Sequence, residues 1–315
     1  MYYIAHRLFA AHDRALAADL AERLADKTGP DRVFLPFCDT DEEQLVADVK
    51  GRRLFELDRE RLRRIDAMVA ILHGPSLDDG VCMEIGYAWA CGVPVVVLTT
   101  DFQTYSLTGD GPRLEFPDPL IEAAATRVIR LPRLGPPSTA SESGTASRFT
   151  DFRERNLAQA ASALDTAVEA LLELPAIARY EPRPPIGGTV FVEPSPYGSR
   201  GVDHLVQACV SAGHRIVGPQ RFAASEPVSA ALADLTAAIG ARRLLVDVSG
   251  PETPPGGALL IGAACASSTP TAAYACRTGL THATGREPNW RNLMIQYAVQ
   301  ARLDTPEAVT AWLSA

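Results

Sequence analysis

Two carboxylates in one short run, Asp78 and Glu84 of Asp78-Asp79-Gly80-Val81-Cys82-Met83-Glu84-Ile85-Gly86-Tyr87-Ala88, are the residues of this chain best placed by type and spacing to do chemistry. An ionised carboxylate can attack an electrophilic carbon, and a protonated one can assist a leaving group. Asp66 supplies a third carboxylate, and Gly80, Gly86 and Ala88 allow close approach of backbone and ligand. All three acids are expected on one sheet edge. A glutamate at the start of a helix is also common merely as a complement to the helix dipole.

The flanking sequence dictates how these residues are held. Ala67-Met68-Val69-Ala70-Ile71-Leu72 and Val93-Pro94-Val95-Val96-Val97-Leu98 read as buried parallel strands, so the run between them is a crossover. Ligands of open α/β sheets bind where strands hand over to helices. Glu84 is expected in the first turn of the crossover helix, facing that crevice and kept ionised by the positive end of the dipole.

Beyond this run, Gly74-Pro75, Gly92-x-Pro94, Thr100-Asp101, the opening Tyr2-Tyr3-Ile4-Ala5-x-x-Leu8-Phe9 and Pro36 complete a spaced pattern. Over residues 1–101 it resembles the nucleoside 2-deoxyribosyltransferase family. The resemblance implies that Glu84 attacks C1' of a 2'-deoxynucleoside and that a second base then displaces the enzyme, two inversions giving net retention. It further implies Asp66 as the acid assisting departure of the base, Asp78 on a sugar hydroxyl, Gly80 beside the substrate and Tyr3 as a positioning group. An aromatic residue in a first strand is more often core. His6-Arg7 departs from the small residues usual after that strand, and Arg7 offers a partner for a 5'-phosphate.

Composition narrows the alternatives. The chain has 315 residues, 47% hydrophobic, enough for two domains with their own cores. A net charge of −8 argues against a nucleic acid polymer as partner. Cys38, Cys82, Cys91, Cys209, Cys265 and Cys276 show no metal-ligand spacing and read as reduced thiols. No metal or cofactor is expected, since phosphate-loop and dinucleotide motifs are also missing from the sequence. Of the histidines only His6 is a candidate site residue; His12, His73, His204, His214 and His282 read as structural or surface residues. With no signal peptide and no run of 18 apolar residues, the expectation is a cytoplasmic protein that meets no membrane.

The chain also repeats itself. Gly74, Pro75, Gly80, Ile85, Gly86, Ala88, Ala90 and Pro94 recur, at a constant spacing of 176 residues, as Gly250, Pro251, Gly256, Ile261, Gly262, Ala264, Ala266 and Pro270. Val190-Phe191-Val192, a helix over Leu205–Ala212 and Arg215-Ile216-Val217-Gly218-Pro219 extend the likeness. At the same spacing Leu260 replaces Glu84, Pro254 replaces Asp78 and Arg242 replaces Asp66, so the second unit keeps a fold without the chemistry.

The expected architecture is α/β: two tandem Rossmann-like (flavodoxin-like) three-layer domains with parallel sheets, forming a pseudo-dimer. The expected divisions are a catalytic unit at 1–180, a proline-stiffened linker at 181–188 and a degenerate unit at 189–315, with a mobile loop over 133–150 and a helix from Asp151 to Leu174. In the resembled family a neighbouring subunit completes each site with an Asn. Trp290-Arg291-Asn292-Leu293 is similar to that element, so Asn292 is expected in the Glu84 site and Asn156, of Arg155-Asn156-Leu157, in the inert one. Asn292 equally reads as an ordinary helix cap. The implied partners are a nucleoside or nucleotide and a free nucleobase, with further homo-oligomerisation left open. Two alternatives stand beside base exchange: hydrolysis of a nucleoside or its 5'-monophosphate, and non-catalytic nucleotide binding.

Overall fold

The computed structural model describes residues 1–39, 50–74, 76–134, 145–175, 186–196, 203–275 and 289–315. Two parallel five-stranded sheets form its frame. In the first, β1 (Tyr2–Ala5), β2 (Val33–Phe34), β3 (Ala67–Ile71), β4 (Val95–Thr99) and β5 (Arg127–Arg130) stand in the order 2-1-3-4-5. In the second, β6 (Ile186–Glu193), β7 (Arg215–Val217), β8 (Ala241–Asp247), β9 (Thr271–Tyr274) and β10 (Ala301–Leu303) stand in the order 7-6-8-9-10, which is the same winding. This is the flavodoxin-like order, with its switch point between the first and third strands of each sheet.

Ten helices among the described residues cover the sheets: α1 (Ala11–Thr28), α2 (Lys50–Leu62), α3 (Asp79–Ala90), α4 (Pro119–Ala124), α5 (Thr145–Glu173), α6 (Asp203–Ser211), α7 (Pro227–Gly240), α8 (Pro255–Ser267), α9 (Leu293–Ala298) and α10 (Pro306–Ser314). Period-2 alternation sorts the strand residues onto two faces. Ile4, Val69, Ile71, Val96 and Leu98 pack under α1 and α5, and Val190, Val192, Leu245 and Ala272 pack under α6 and α10. The opposite faces, including Tyr3, Met68, Val97, Phe191, Leu244 and Ala273, join one continuous core that runs through both halves. Among the described residues no helix is long and apolar enough to cross a membrane.

At the centre of that core α3 lies against α8. Both helices are buried nearly all round, which is why neither shows an amphipathic stripe. A Cβ on Gly86 would run into the carbonyl oxygen of Leu259, and a Cβ on Gly262 into that of Met83. The 176-residue spacing exchanges these two contacts, so the halves meet as the two sides of an isologous dimer would. Ser76 Oγ donating to Glu252 Oε2 at 3.3 Å is a contact between another such pair.

Some boundaries differ from expectation. The helix after the Ser/Gly/Pro-rich stretch starts at Thr145 rather than Asp151, so only residues 133–144 of the expected loop precede it, and 135–144 lie outside the described residues. Of the expected linker, 181–185 lie outside them as well, and 186–188 already belong to β6. Pro75 and Cys276 fall outside too.

Candidate functional site

The loop between β3 and α3 builds the site from one residue outward. Asp78 is the N-cap of α3, its Oδ1 accepting the Val81 backbone N–H at 3.0 Å. The helix therefore begins at Asp79, and Glu84, its sixth residue, lies in the second turn rather than the expected first. That one turn changes its electrostatics, because the dipole acts mainly within the first turn. Glu84 is 9% exposed, and burial pushes its pKa up to about 8; the hydrogen bond from Tyr3 pulls the other way. The expectation of a carboxylate kept ionised by the dipole does not survive this burial.

Tyr3, on β1, points from the sheet to the same spot, and its Oη donates to Glu84 Oε1 at 2.7 Å. Burial, and then the charge of Glu84, raise the phenol well above its ordinary range, so it stays a donor. Two of the expected site residues are thus joined directly.

Asp66 is not brought to them. It immediately precedes β3, at the strand's N-terminal end, exposed and bonded to the Met1 ammonium and to Arg32. Those partners hold its carboxyl below the usual range, the hydrogen bond from the terminus most of all. Five strand residues, about 16 Å of rise, separate it from the edge where Asp78 sits. The acid whose charge does reach both Glu84 and Tyr3 is Asp58, on α2.

Asn292 reaches the site from the second half. Its Oδ1 caps α9 by accepting the Met294 N–H at 3.0 Å, while its Nδ2 donates to Asp79 Oδ1 at 3.0 Å. The cap and the contact with Asp79 are compatible, because an amide divides the tasks between oxygen and nitrogen. Gly80 leaves room for it, since a Cβ there would lie 2.8 Å from Asn292 Nδ2. Asp79, which nothing in the sequence singled out, has its pKa pushed to about 6 by burial and by Asp78, against the hydrogen bond from Asn292.

His6 and Arg7 lie at the same edge. His6 is buried, which lowers its pKa, and its Nδ1 bonds the Arg7 carbonyl at 2.9 Å. The Arg7 guanidinium donates to the Ser76 carbonyl at 2.7 Å and pairs with Asp78 at 3.7 Å. It is committed to the loop that carries Asp78. Two histidines read as structural or surface residues also gather here: His12, Asp13 and His73 bring ligand-type atoms within 4.8 Å of one another. The loops after β1 and β3 are neighbours, and the buried Asp13 carboxylate takes His73 Nε2 at 2.7 Å as its partner.

The second crevice is built the same way and filled differently. Asp118, the N-cap of α4, accepts the Leu120 N–H at 3.0 Å, as Asn292 caps α9. Glu122 accepts the Phe116 N–H as Gln296 accepts that of Trp290. Asp118 therefore stands in the first half where Asn292 stands in the second, and it crosses to Gly256, the counterpart of Gly80. Asn156 does not have this place. It lies on α5, across the first sheet from α8, and donates to the Phe152 carbonyl at 2.7 Å. Where Glu84 would be, Leu260 is fully buried. Arg221, from the loop after β7, enters instead and pairs with Asp118, Glu193 and Asp234.

No curated protein matches the chain. Residues 2–146, the part of the chain that carries Tyr3, Asp78 and Glu84, match the family model described as nucleoside 2-deoxyribosyltransferase.

Proposed function

We propose that the chain cleaves the N-glycosidic bond of a 2'-deoxynucleoside through a covalent deoxyribosyl–Glu84 intermediate and passes the sugar to a second base. The observation that carries this reading is the buried Tyr3–Glu84 pair at 2.7 Å, its glutamate on the helix whose first residue, Asp79, is bonded by the Asn292 amide from the other half. On substrate binding Glu84 gives up its proton, through solvent, to Asp58 and attacks C1' from the face opposite the base; the C1'–N bond breaks and its electrons leave with the base. Tyr3 holds the attacking carboxylate in line and stabilises its charge. Asp58, whose charge already acts on Glu84, replaces Asp66 as the acid that protonates the departing base; such help is worth about 10²- to 10⁴-fold. Asp78, with one oxygen on the helix cap and Arg7 beside the other, and the Asn292 amide hold sugar hydroxyls.

On this reading residues 1–180 form the catalytic unit and 189–315 an inactive second copy, retained because it completes the first. Incubation with a deoxynucleoside and a different free base tests the reaction, the expected product being the exchanged nucleoside. Release of base and free sugar alone would make the chain an N-glycoside hydrolase, and no turnover would leave only binding. Arg7 is spent on Ser76 and Asp78, which disfavours a 5'-phosphate ligand. Arg7→Ala should accordingly affect a nucleoside and its monophosphate alike, and a loss confined to the monophosphate would reverse that conclusion.

A further inference from the structure

Arg221 is the largest fully buried side chain described, with 0% exposure. Its Nε and Nη2 donate to the two oxygens of Asp118 at 2.8 and 3.0 Å, its Nη1 and Nη2 to the two oxygens of Glu193, and its Nη1 to Asp234 Oδ2 at 3.4 Å. All three nitrogens of the fork are used, two carboxylates being held bidentately, and a lysine has no such fork. The cage is itself fixed: Asp118 caps α4, and Asp234 accepts the backbone N–H groups of Gln220 and Arg221. A Cβ on Gly256 would lie 2.9 Å from Arg221 Nη2, so the glycine leaves room for the guanidinium as Gly80 leaves room for Asn292.

Counting from the prolines that follow β2 and β7, Pro36 and Pro219, the residue of the first half that matches Arg221 is Cys38, which is exposed. The two loops diverge where the two crevices do. Asp118 comes from the first half, Glu193 and Asp234 from the second, so the cation also ties the halves together.

We propose that the second crevice is a guanidinium-binding site, built across both halves and permanently occupied by the chain's own Arg221, which closes it to substrate and locks the pseudo-dimer. It stands apart from the reaction assigned to Glu84. Removing the side chain leaves three buried carboxylates facing a cavity without a cation, a strongly unfavourable arrangement. In the full chain Arg221→Ala should lower the melting midpoint by about 10 °C. Millimolar guanidinium or methylguanidinium, well below denaturing concentration, should restore part of that loss in the variant and none in the wild type, while equimolar sodium and urea should restore nothing. No selective rescue, or rescue by a nucleoside beyond the rise it gives the wild type, would overturn the proposal. Should Arg221→Ala not fold, Arg221→Met, Glu193→Gln and their combination form a double-mutant cycle. The combined variant should be far less destabilised than the sum of the two, and simple additivity would overturn the proposal equally.

Discussion

The two crevices share a plan and differ in what the plan presents to a ligand. Each lies at the C-terminal edge of a sheet wound 2-1-3-4-5, against the N-terminus of a central helix, and each is entered by a helix cap from the opposite half. In the first, the crossing residue is a neutral amide, Asn292, and the acid is Glu84, held by Tyr3. In the second, the crossing residue is a carboxylate, Asp118, the acid's place is taken by Leu260, and a buried arginine fills the space. The exchange of Asn for Asp suits the two roles. An amide can both give and accept a hydrogen bond, as a sugar hydroxyl needs, whereas a carboxylate accepts only and so matches a guanidinium. On the proposed function, fold and chemistry separate within one chain, the glycines that pack α3 on α8 standing in both halves and the acid in one.

The largest effect should come from removing the acid that distinguishes the crevices. Glu84→Gln should lower kcat by about 10³-fold or more in steady-state assays while the fold persists, and near-normal turnover would end the proposed mechanism. The same variant carries a thermodynamic signature. A pKa near 8 in the folded chain against an ordinary value when unfolded means that the wild type progressively loses stability as pH rises from about 4.5 to about 8. Glu84→Gln lacks that loss, so its melting midpoint should exceed that of the wild type by a margin that grows from pH 5 to pH 8. A margin independent of pH would refute the buried, protonated Glu84.

Restoring the acid to the second crevice should not restore activity. Leu260→Glu places an unpaired carboxylate in a fully buried position, with Pro254 where Asp78 stands in the first crevice, and should destabilise the chain by roughly 3–5 kcal/mol in denaturant titration. A stable variant with doubled activity would erase the distinction between the halves. Smaller effects attach to the crossing residues. Asn292→Ala should raise KM or lower kcat by an amount equivalent to about 0.5–1.5 kcal/mol, whereas Asn156→Ala should leave kinetics unchanged. The reverse ranking would detach the second half from the site. Tyr3→Phe removes the hydrogen bond that favours the charged form of Glu84, so the ascending limb of kcat/KM should move to higher pH than in the wild type.

Much of this was legible in the residues because the repeat carries its own register. Gly86 and Gly262 are spaced with their neighbours as the α3–α8 contact demands, and a glycine that admits a crossing backbone leaves a plain mark in sequence. Asp66 misled because residues a few positions apart along a strand lie at opposite edges of a sheet, and motif order does not say which edge. Asp58 sits on the charge-rich α2, where one acid among many gives no signal. The Arg221 cage could not be read at all. Its partners lie as many as 103 residues from it in sequence, and only the packing of one half on the other brings Asp118 to Glu193. Asn156 was mistaken for the counterpart of Asn292 because a short local likeness outweighed the shared helix-cap geometry that joins Asn292 to Asp118.

A single mass measurement weighs the whole comparison. Incubated with a 2'-deoxynucleoside and quenched in acid before a second base is added, or with a 2'-fluorinated analogue that slows release, the intact chain should gain the mass of one sugar. Peptide mapping should place it on Glu84, and Glu84→Gln should gain none. Two sugars per chain, or one sugar on a peptide of the second half, would contradict a single live site paired with an arginine-filled one.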